Sequence, residues 1–421
     1  MALEGCLAES PEPTIGPLLM SAIIFDERKK LKGKPGLHAF IAGVSYYDHL
    51  PGGDGLKAEG DHTFQQLTAS AKSAYAIANW LIERRNHLPV PLATIRILIS
   101  PNKKTEGELL GIGSRCTRAN FVSEMKDWQK DAISQKHNNN YTFFYFAGHG
   151  AIRKRSDSLL LLEDFGDPSD LPLAKAVPLD NIFFGMGQPA ARKQKMARTQ
   201  LYFVDACRVF PKVLKGKETP NLSDVFFLDL GGQDERSAPI FHASVPGAEA
   251  FSIPGEQTIF SEALLNCLNG AAGKALPEDE NGDVRWQVSV LSLNDALKKQ
   301  ISLLNKKYKT RMKYVPMGYQ MEAPIHTLDG PPEVAGFLHV VPKAALRFVS
   351  VNIIRNNERK SEIVWNLPRV TPHPYPGTLT AGSYILRTTA DTPMPYQSPD
   401  KPIGVEPPNF ELYARYFDDK A

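Results

Sequence analysis

The feature that most constrains the fold is a set of short, almost continuous apolar runs in the first two thirds of the chain. Each has the length of a buried strand, and the runs read LHAFIAGV, ATIRILIS, YTFFYFAG, LYFVDA and APIFHA. Amphipathic segments with a helical period accompany them, namely LTASAKSAYAIANWLIERR, RANFVSEMKDWQKDAIS and TIFSEALLNCLNG. Strands that are apolar on both faces and alternate with helices predict an α/β fold, with a mostly parallel sheet covered by helices on both sides.

Beyond about residue 330 the pattern changes. The remaining apolar runs, GFLHVV, LRFVSVNII, EIVWNL and GSYILRTT, are separated by Pro and Gly turns, and no helical period lies between them. This pattern predicts a small all-β sandwich at 331–421, which follows a main domain at 36–330. Residues 1–35 are Pro-rich at first and charged later, and we interpret them as an N-terminal arm outside the ordered fold.

Charge and cysteine content argue against several classes of protein. The 49 basic and 46 acidic side chains give a net charge of +3, which provides no electrostatic basis for binding nucleic acid or an anionic membrane. Four cysteines in 421 residues do not resemble a disulfide framework and indicate a reducing compartment. No apolar run reaches the roughly 18–20 residues that cross a bilayer, and the acidic start is unlike a signal peptide. We therefore expect a cytoplasmic protein.

Two of the predicted strands end in a reactive side chain. His149 follows YTFFYFAG, and Cys207 follows LYFVDA. The carboxyl ends of parallel strands share one edge of the sheet, so neighbouring strands would bring the imidazole and the thiol together. Gly148 and Gly150 allow a tight turn beside the histidine. Either residue alone is more often a surface histidine or a small buried cysteine, but the pair on such strands predicts a nucleophile and its proton-transfer partner.

These motifs resemble those of the caspase-like peptidases, and most of all their bacterial members. The matching segments cover roughly residues 36–275 and are AFIAGVSYY, LTASAKSAYAIANWL, FFYFAGHG, LLLLEDFG, FVDACR, FHASVPGAEAF and IFSEALLNCLNG. The caspase signature places its cysteine about 50 residues after the histidine, a spacing close to the one here. The resemblance implies a cysteine endopeptidase with a His149–Cys207 dyad and an oxyanion held by the backbone N–H groups of Gly150 and Cys207. It also suggests a link to stress, cell death or defence.

The resemblance bears on substrate choice as well. Animal caspases hold an acidic substrate side chain with arginines at two positions. In this sequence those positions fall near Leu67 or Thr68 and at Ser252, and none of these residues is basic. Cleavage after Asp is therefore not expected.

Metacaspases instead hold Arg or Lys with a carboxylate two residues before the cysteine, which here is Asp205. Their second acid corresponds to Ser73, so it is missing, and Glu249 could replace it. We expect Asp205, Glu249 and Ser244 to be the substrate-binding residues and cleavage to follow Arg or Lys. Two alternatives stay open: Asp205 could only hydrogen-bond nearby amides, and Glu249 could be a solvated loop acid.

Self-cleavage is expected in the segment PKVLKGKETPNLSDVFFLDLGGQDERSAP, which follows the cysteine strand and has the composition of an exposed loop. The candidate sites are Lys212, Lys215, Lys217 and Arg236.

No metal or cofactor is predicted. Calcium activates many metacaspases, and Asp164, Asp167 and Asp170 cluster after the LLLL strand, but spaced carboxylates in a loop are usually only solvated. The expected partner is a protein or peptide substrate, with no nucleic acid and no membrane, and the oligomeric state is left open.

Two other functions fit parts of the sequence. A glutamine amidotransferase also has a Cys–His pair on an α/β sheet, but its histidine follows its cysteine, whereas His149 precedes Cys207. An inactive caspase fold could act as a scaffold, with the β-sandwich as its binding surface. The intact His149, Gly150 and Cys207 argue against that reading.

Overall fold

A computed structural model provides the three-dimensional structure of the chain. The structure describes residues 21–57, 64–152, 157–171, 173–189, 194–211, 224–228, 234–245, 247, 256–280, 282–319, 322–347, 349–357, 360–367, 373–390 and 400–415.

Strands and helices alternate through the first three quarters of the chain, and only strands and one short 3₁₀ turn follow. The strands are β1 (Ile23–Asp26), β2 (Leu37–Val44), β3 (Leu92–Ser100), β4 (Tyr141–Gly148), β5 (Gly150–Ala151), β6 (Leu159–Leu161), β7 (Ala176–Pro178), β8 (Thr199–Ala206), β9 (Ala238–His242), β10 (Lys274–Ala275), β11 (Trp286–Ser289), β12 (Val315–Tyr319), β13 (Pro324–Leu328), β14 (Glu333–Val341), β15 (Val349–Asn357), β16 (Lys360–Leu367), β17 (Tyr375–Thr380), β18 (Gly382–Ala390), β19 (Lys401–Val405) and β20 (Phe410–Arg415). The α-helices are α1 (Arg28–Leu31), α2 (Ser70–Glu83), α3 (Arg118–Ala132), α4 (Leu179–Gly185), α5 (Ile259–Asn266) and α6 (Val290–Tyr308). No helix among the described residues is long and apolar enough to cross a membrane.

A seven-stranded sheet forms the centre of the molecule, in the order β1-β3-β2-β4-β8-β9-β12. The five inner strands run parallel to one another, and the edge strands β1 and β12 pair antiparallel with β3 and β9. The predicted α/β fold with a mostly parallel sheet is thus confirmed.

Both faces of this sheet are buried, which explains why its strands are apolar without alternation. Phe144 and Phe146 on β4 point into a core that also contains side chains of α3 and α4. Phe143 and Tyr145 on the same strand point into a second core with α2, α5 and α6. Each fully buried phenylalanine contributes roughly 2–3 kcal/mol through removal of its apolar surface from water.

The prediction that residues 1–35 form an arm outside the fold is wrong for its second part. Strand β1 pairs with β3 from Asp26 back to Ile23, and Ala22 is buried in the first core. An edge strand of four residues is too short for a period to emerge in the sequence, and the charged residues that follow it hide it further. Residues 1–20 lie outside the described residues.

The C-terminal strands form two further sheets, β17-β14-β20 and β16-β15-β18-β19. Alternate side chains from both sheets, including Leu338 and Ile353, enclose a third core, as expected for a β-sandwich. Trp286 of β11 packs against this core, and Pro332 lies over Gly270. Small sheets β5-β6-β7 and β10-β11-β13 complete the described structure.

Candidate active site

His149 and Cys207 follow two strands that are direct neighbours in the sheet. Strands β4 and β8 are parallel, and their last paired residues are Gly148 and Ala206. The next residue on each strand is therefore the histidine on one side and the cysteine on the other. The structure thus brings together, at one edge of the sheet, the two residues that the sequence singles out.

The backbones at this edge approach each other closely. A Cβ atom on Gly150 would collide with the carbonyl oxygen of Cys207 and with the side chain of Ala206, so only glycine fits. Beyond this point Ile152 N donates to Val209 O at 3.0 Å, which keeps the two chains side by side. This close approach of Cys207 O requires a glycine at position 150. It is a more specific reason for that glycine than the tight turn inferred from the sequence.

The His149 imidazole is nearly buried, with 9% of the residue exposed. Its Nε2 lies 2.6 Å from the carbonyl oxygen of Gln65, and the rings of Phe64 and Tyr47 pack on it at centroid distances of 4.8 and 5.0 Å. Burial lowers the pKa of His149 to about 4, against the opposing effect of the Gln65 carbonyl. A carbonyl accepts but cannot donate, so Nε2 carries the proton and Nδ1 is the nitrogen free to act as a base.

The sequence analysis missed Gln65. Its contribution is a backbone carbonyl, which any residue possesses, so no residue type or spacing could have indicated it. Only the path of the chain between β2 and α2 places that oxygen on the imidazole.

Cys207 differs from the other described cysteines in its exposure. Cys116 and Cys267 are fully buried, whereas Cys207 is partly exposed. Burial raises the pKa of both Cys116 and Cys267, which keeps them as inert thiols. Cys6 lies outside the described residues.

Asp205 lies in the second core, two residues before the cysteine, and only 3% of it is exposed. Tyr145 Oη donates to its Oδ2 at 2.9 Å, and the Thr258 hydroxyl makes a short hydrogen bond to the same oxygen. Burial raises the pKa of Asp205 to about 6, although the two hydroxyls act to lower it. No ion pair to Asp205 occurs among the described residues.

The network around Asp205 extends to Ser73, the position of the missing second acid. Thr258 caps α5 by accepting from Ser261 N at 3.2 Å, while its own backbone N–H donates to Ser73 Oγ at 2.9 Å. Ser261 Oγ also donates to Ser73 Oγ, at 3.0 Å. Within the described part of the chain, the hydrogen bonds to the Asp205 carboxylate come from hydroxyl groups, and none comes from a backbone amide.

Comparison with known proteins identifies the architecture. The caspase domain family matches residues 58–322, which is more than half of the chain. The chain belongs to the caspase domain family. Among solved structures, caspase-1 from Spodoptera frugiperda is 12% identical to this chain, covers 75% of it and 94% of its own length, and has a TM-score of 0.38. No curated protein matches the chain.

Two other predicted pocket residues of this caspase domain have different outcomes. Ser244 is fully buried and donates its hydroxyl to the carbonyl of Ala206 at 2.9 Å. The Ser244 hydroxyl thus supports the strand end below Cys207, and a contact between Ser244 and substrate stays a prediction. Glu249 lies outside the described residues.

The prediction that Arg236 is a self-cleavage site of this caspase domain is wrong. It is 4% exposed, and its guanidinium forms two hydrogen bonds with Asp234 at 2.6 and 2.7 Å. It also donates to the carbonyls of Phe183 and Met186 and to the side chain of Gln200. A peptide bond anchored in this way cannot enter an active site without local unfolding. The other candidates, Lys212, Lys215 and Lys217, lie outside the described residues.

The acidic cluster after β6 already contains a cation from the protein. Lys175 Nζ lies 3.3 Å from Asp170 and 4.0 Å from Asp164, and Asp167 accepts from the backbone and hydroxyl of Ser169. Within the described part of the chain, no group of three or more His, Cys, Asp or Glu side chains is arranged to hold a metal ion.

Proposed function

We propose that this caspase domain is a cysteine endopeptidase in which Cys207 is the nucleophile and His149 exchanges the proton. The observation that carries the proposal is the register of β4 and β8, which makes the two residues neighbours at the end of paired strands. Family membership supports the same chemistry, since the matched region contains both residues.

The proposed reaction has two stages. The Cys207 thiol transfers its proton to Nδ1 of His149, and the sulfur attacks the substrate carbonyl. Backbone N–H groups of Gly150 and Cys207 stabilise the oxyanion, and His149 protonates the departing amine. A water molecule then gives one proton to His149 as its oxygen attacks the thioester carbon. The C–S bond breaks to release the acid, and His149 returns the proton to the Cys207 sulfur.

We further propose that Asp205 selects Arg or Lys at the residue before the cleaved bond. Asp205 is buried next to the nucleophile, and the described residues supply it with hydroxyls but with no cation. A buried carboxylate without an ionic partner is costly, so a substrate guanidinium or ammonium would be stabilised there. The proposal keeps Glu249 as the second acid.

The main proposal is tested with a thiol-reactive peptide that ends in Arg, and with turnover of the corresponding peptide substrate. Cys207→Ala should abolish labelling, and either Cys207→Ala or His149→Ala should lower turnover by at least about 10³-fold. Cys116→Ala is the matched control, because this cysteine is buried in the first core, and it should retain labelling. Turnover that survives Cys207→Ala would refute the peptidase mechanism and favour the scaffold alternative.

Self-cleavage remains part of the proposal for Lys212, Lys215 and Lys217. Intact mass measurement of the purified chain, with Cys207→Ala as the uncleaved reference, would identify any cut. If an active preparation shows no cut at any of these lysines, the self-cleavage proposal is refuted and the peptidase proposal is unaffected.

A further inference from the structure

The side chain of Gln66 is bonded to the backbone of Tyr47 in both directions. Tyr47 N donates to Gln66 Oε1 at 2.8 Å, and Gln66 Nε2 donates to Tyr47 O at 2.8 Å. The carboxamide therefore pairs with Tyr47 as a neighbouring strand would, and it ties the segment before α2 to the loop after β2. Gln65, whose carbonyl accepts the hydrogen bond from His149 Nε2, is the residue directly before Gln66.

Tyr47 also holds the histidine from the other side. Its hydroxyl oxygen accepts from the backbone N–H of His149 at 2.7 Å, and its hydroxyl hydrogen points to Leu161 O at 3.4 Å. Tyr47 is fully buried, and burial raises its pKa well above the ordinary value, so the hydroxyl stays protonated. One residue thus fixes both the main chain of His149 and the segment that binds its ring.

We propose that Tyr47 and Gln66 form a clamp that positions His149 in the Nε2-protonated tautomer. The clamp deepens the proposed peptidase function and rests on it for its kinetic consequence. With the Gln65 carbonyl held on Nε2, Nδ1 is left free to take the proton of Cys207. Without the clamp, the 65–66 peptide can rotate, and the imidazole loses the acceptor that selects its tautomer.

Both residues are positioning residues, because neither needs to touch the substrate. Loss of the clamp should therefore lower kcat and leave KM within about twofold. A displacement of about 1 Å in a reacting group can cost on the order of 100-fold, so we expect Gln66→Ala to lower kcat by roughly 10- to 100-fold. Tyr47→Phe removes the acceptor of the His149 N–H and the long hydrogen bond to Leu161 O, but it leaves the backbone pairing with Gln66, so it should have a smaller effect of the same kind.

Two matched controls separate positioning from general destabilisation. Gln188 also binds backbone atoms through its carboxamide, at Gln194 O and Met196 N, but it lies at the amino end of β8. The eight residues of that strand span roughly 26 Å, so Gln188 is remote from Cys207. Tyr202 loses a comparable buried hydroxyl bond, to Gln200, when it is changed to Phe. Gln188→Ala and Tyr202→Phe should leave kcat within about twofold.

The direct test is the tautomer of His149, read from ¹⁵N chemical shifts of histidine-labelled protein at neutral pH, with His149→Asn to assign the signal. The intact chain should show the Nε2–H form, and Gln66→Ala should show a mixture of tautomers. This readout needs no turnover, so it tests the clamp even in a chain that proves inactive. An unchanged tautomer in Gln66→Ala, or a loss of kcat that the two controls share, would overturn the proposal. Absence of turnover in the unaltered chain would count against the peptidase function instead.

Discussion

The two titratable groups near Cys207, the His149 ring and the Asp205 carboxyl, are held in place by different means. On one side, the ring of His149 is bound by a backbone carbonyl of Gln65. On the other, the carboxylate of Asp205 is bound by the side-chain hydroxyls of Tyr145 and Thr258. Both groups are nearly buried, so desolvation favours the neutral form of each, with a lowered pKa for the histidine and a raised pKa for the aspartate.

This difference fits the proposed division between a catalytic His149 and a specificity-determining Asp205. A backbone acceptor does not depend on the identity of its own residue, so Gln65 itself can be replaced while its carbonyl stays on the histidine, provided that Tyr47 and Gln66 hold the segment. Hydroxyl donors do depend on residue identity, and they can rotate to other acceptors when a cation arrives. We infer that the His149 side serves every substrate, whereas the Asp205 side decides which substrates are cleaved.

The largest expected effect follows directly from that separation. His149→Asn should abolish cleavage of all peptides. Asp205→Asn should lower kcat/KM for Arg and Lys peptides by about 100-fold, or about 3 kcal/mol, because a buried cation then loses its charged partner. The kcat/KM for peptides with a neutral residue before the cleaved bond should change little. The rate at which Cys207 is alkylated should also change little.

Substrate profiles of the two variants would measure this contrast. Asp164→Asn serves as the control, since burial also raises the pKa of Asp164 in a loop that binds Lys175. Equal losses on basic and neutral peptides in Asp205→Asn would show that Asp205 is structural. A wild-type preference for Asp or Leu before the cleaved bond would remove the specificity proposal and leave the dyad in place.

A second effect, on stability rather than on turnover, depends on pH. The folded pKa of His149, about 4, is below its ordinary 6.5, so its contribution is present above pH 6.5 and lost as the pH falls through about 4. The folded pKa of Asp205, about 6, is above its ordinary 3.8, so its contribution is present below pH 3.8 and lost as the pH rises through about 6. Each change amounts to about 3 kcal/mol.

Urea unfolding of the wild type, His149→Asn and Asp205→Asn between pH 4 and 7 isolates the two contributions by difference. The wild-type minus His149→Asn difference in unfolding free energy should rise with pH, and the wild-type minus Asp205→Asn difference should fall. If both differences rise or both fall with pH, at least one of the two pKa shifts has been assigned wrongly.

The smallest effect is expected from removal of the C-terminal β-sandwich. We propose that it contributes no catalytic residue, since within the described chain the hydrogen-bond partners of His149 and Asp205 all precede residue 331. A chain that ends at Gly330 should keep kcat/KM within about threefold for basic and neutral peptides alike. Its thermal stability should fall, because Trp286 loses the core that covers it. Loss of turnover in a folded, soluble shortened chain would show that the sandwich completes the site.

Much of the site could be predicted because its pattern is local. A buried parallel strand is continuous in sequence, and the residue at its carboxyl end must lie at the edge where ligands bind. His149 and Cys207 each follow such a strand, so their place at this edge could be predicted from strand type, whereas their selection as a catalytic pair also rested on the family resemblance and stays a prediction. The same local logic identified the change to strands without intervening helices after residue 330.

Other features depend on partners that are distant in the chain. Arg236 is buried by carbonyls about 50 residues before it, so its basic character alone suggested an exposed cleavage site. The Ser244 hydroxyl donates to the carbonyl of Ala206, which lies 38 positions earlier in the chain. Strand β1 is ordered by pairing with β3, more than 60 residues later.

The sequence by itself determined the α/β fold and the two residues at the strand ends, because hydrophobic period and residue chemistry are properties of short segments. Only the tertiary structure decided which groups surround them. The Gln65 carbonyl, the Tyr47 hydroxyl and the hydroxyls on Asp205 reach the site through loops whose paths are set by packing. A backbone oxygen has no signature in sequence, and a hydroxyl has no preferred partner until the fold supplies one.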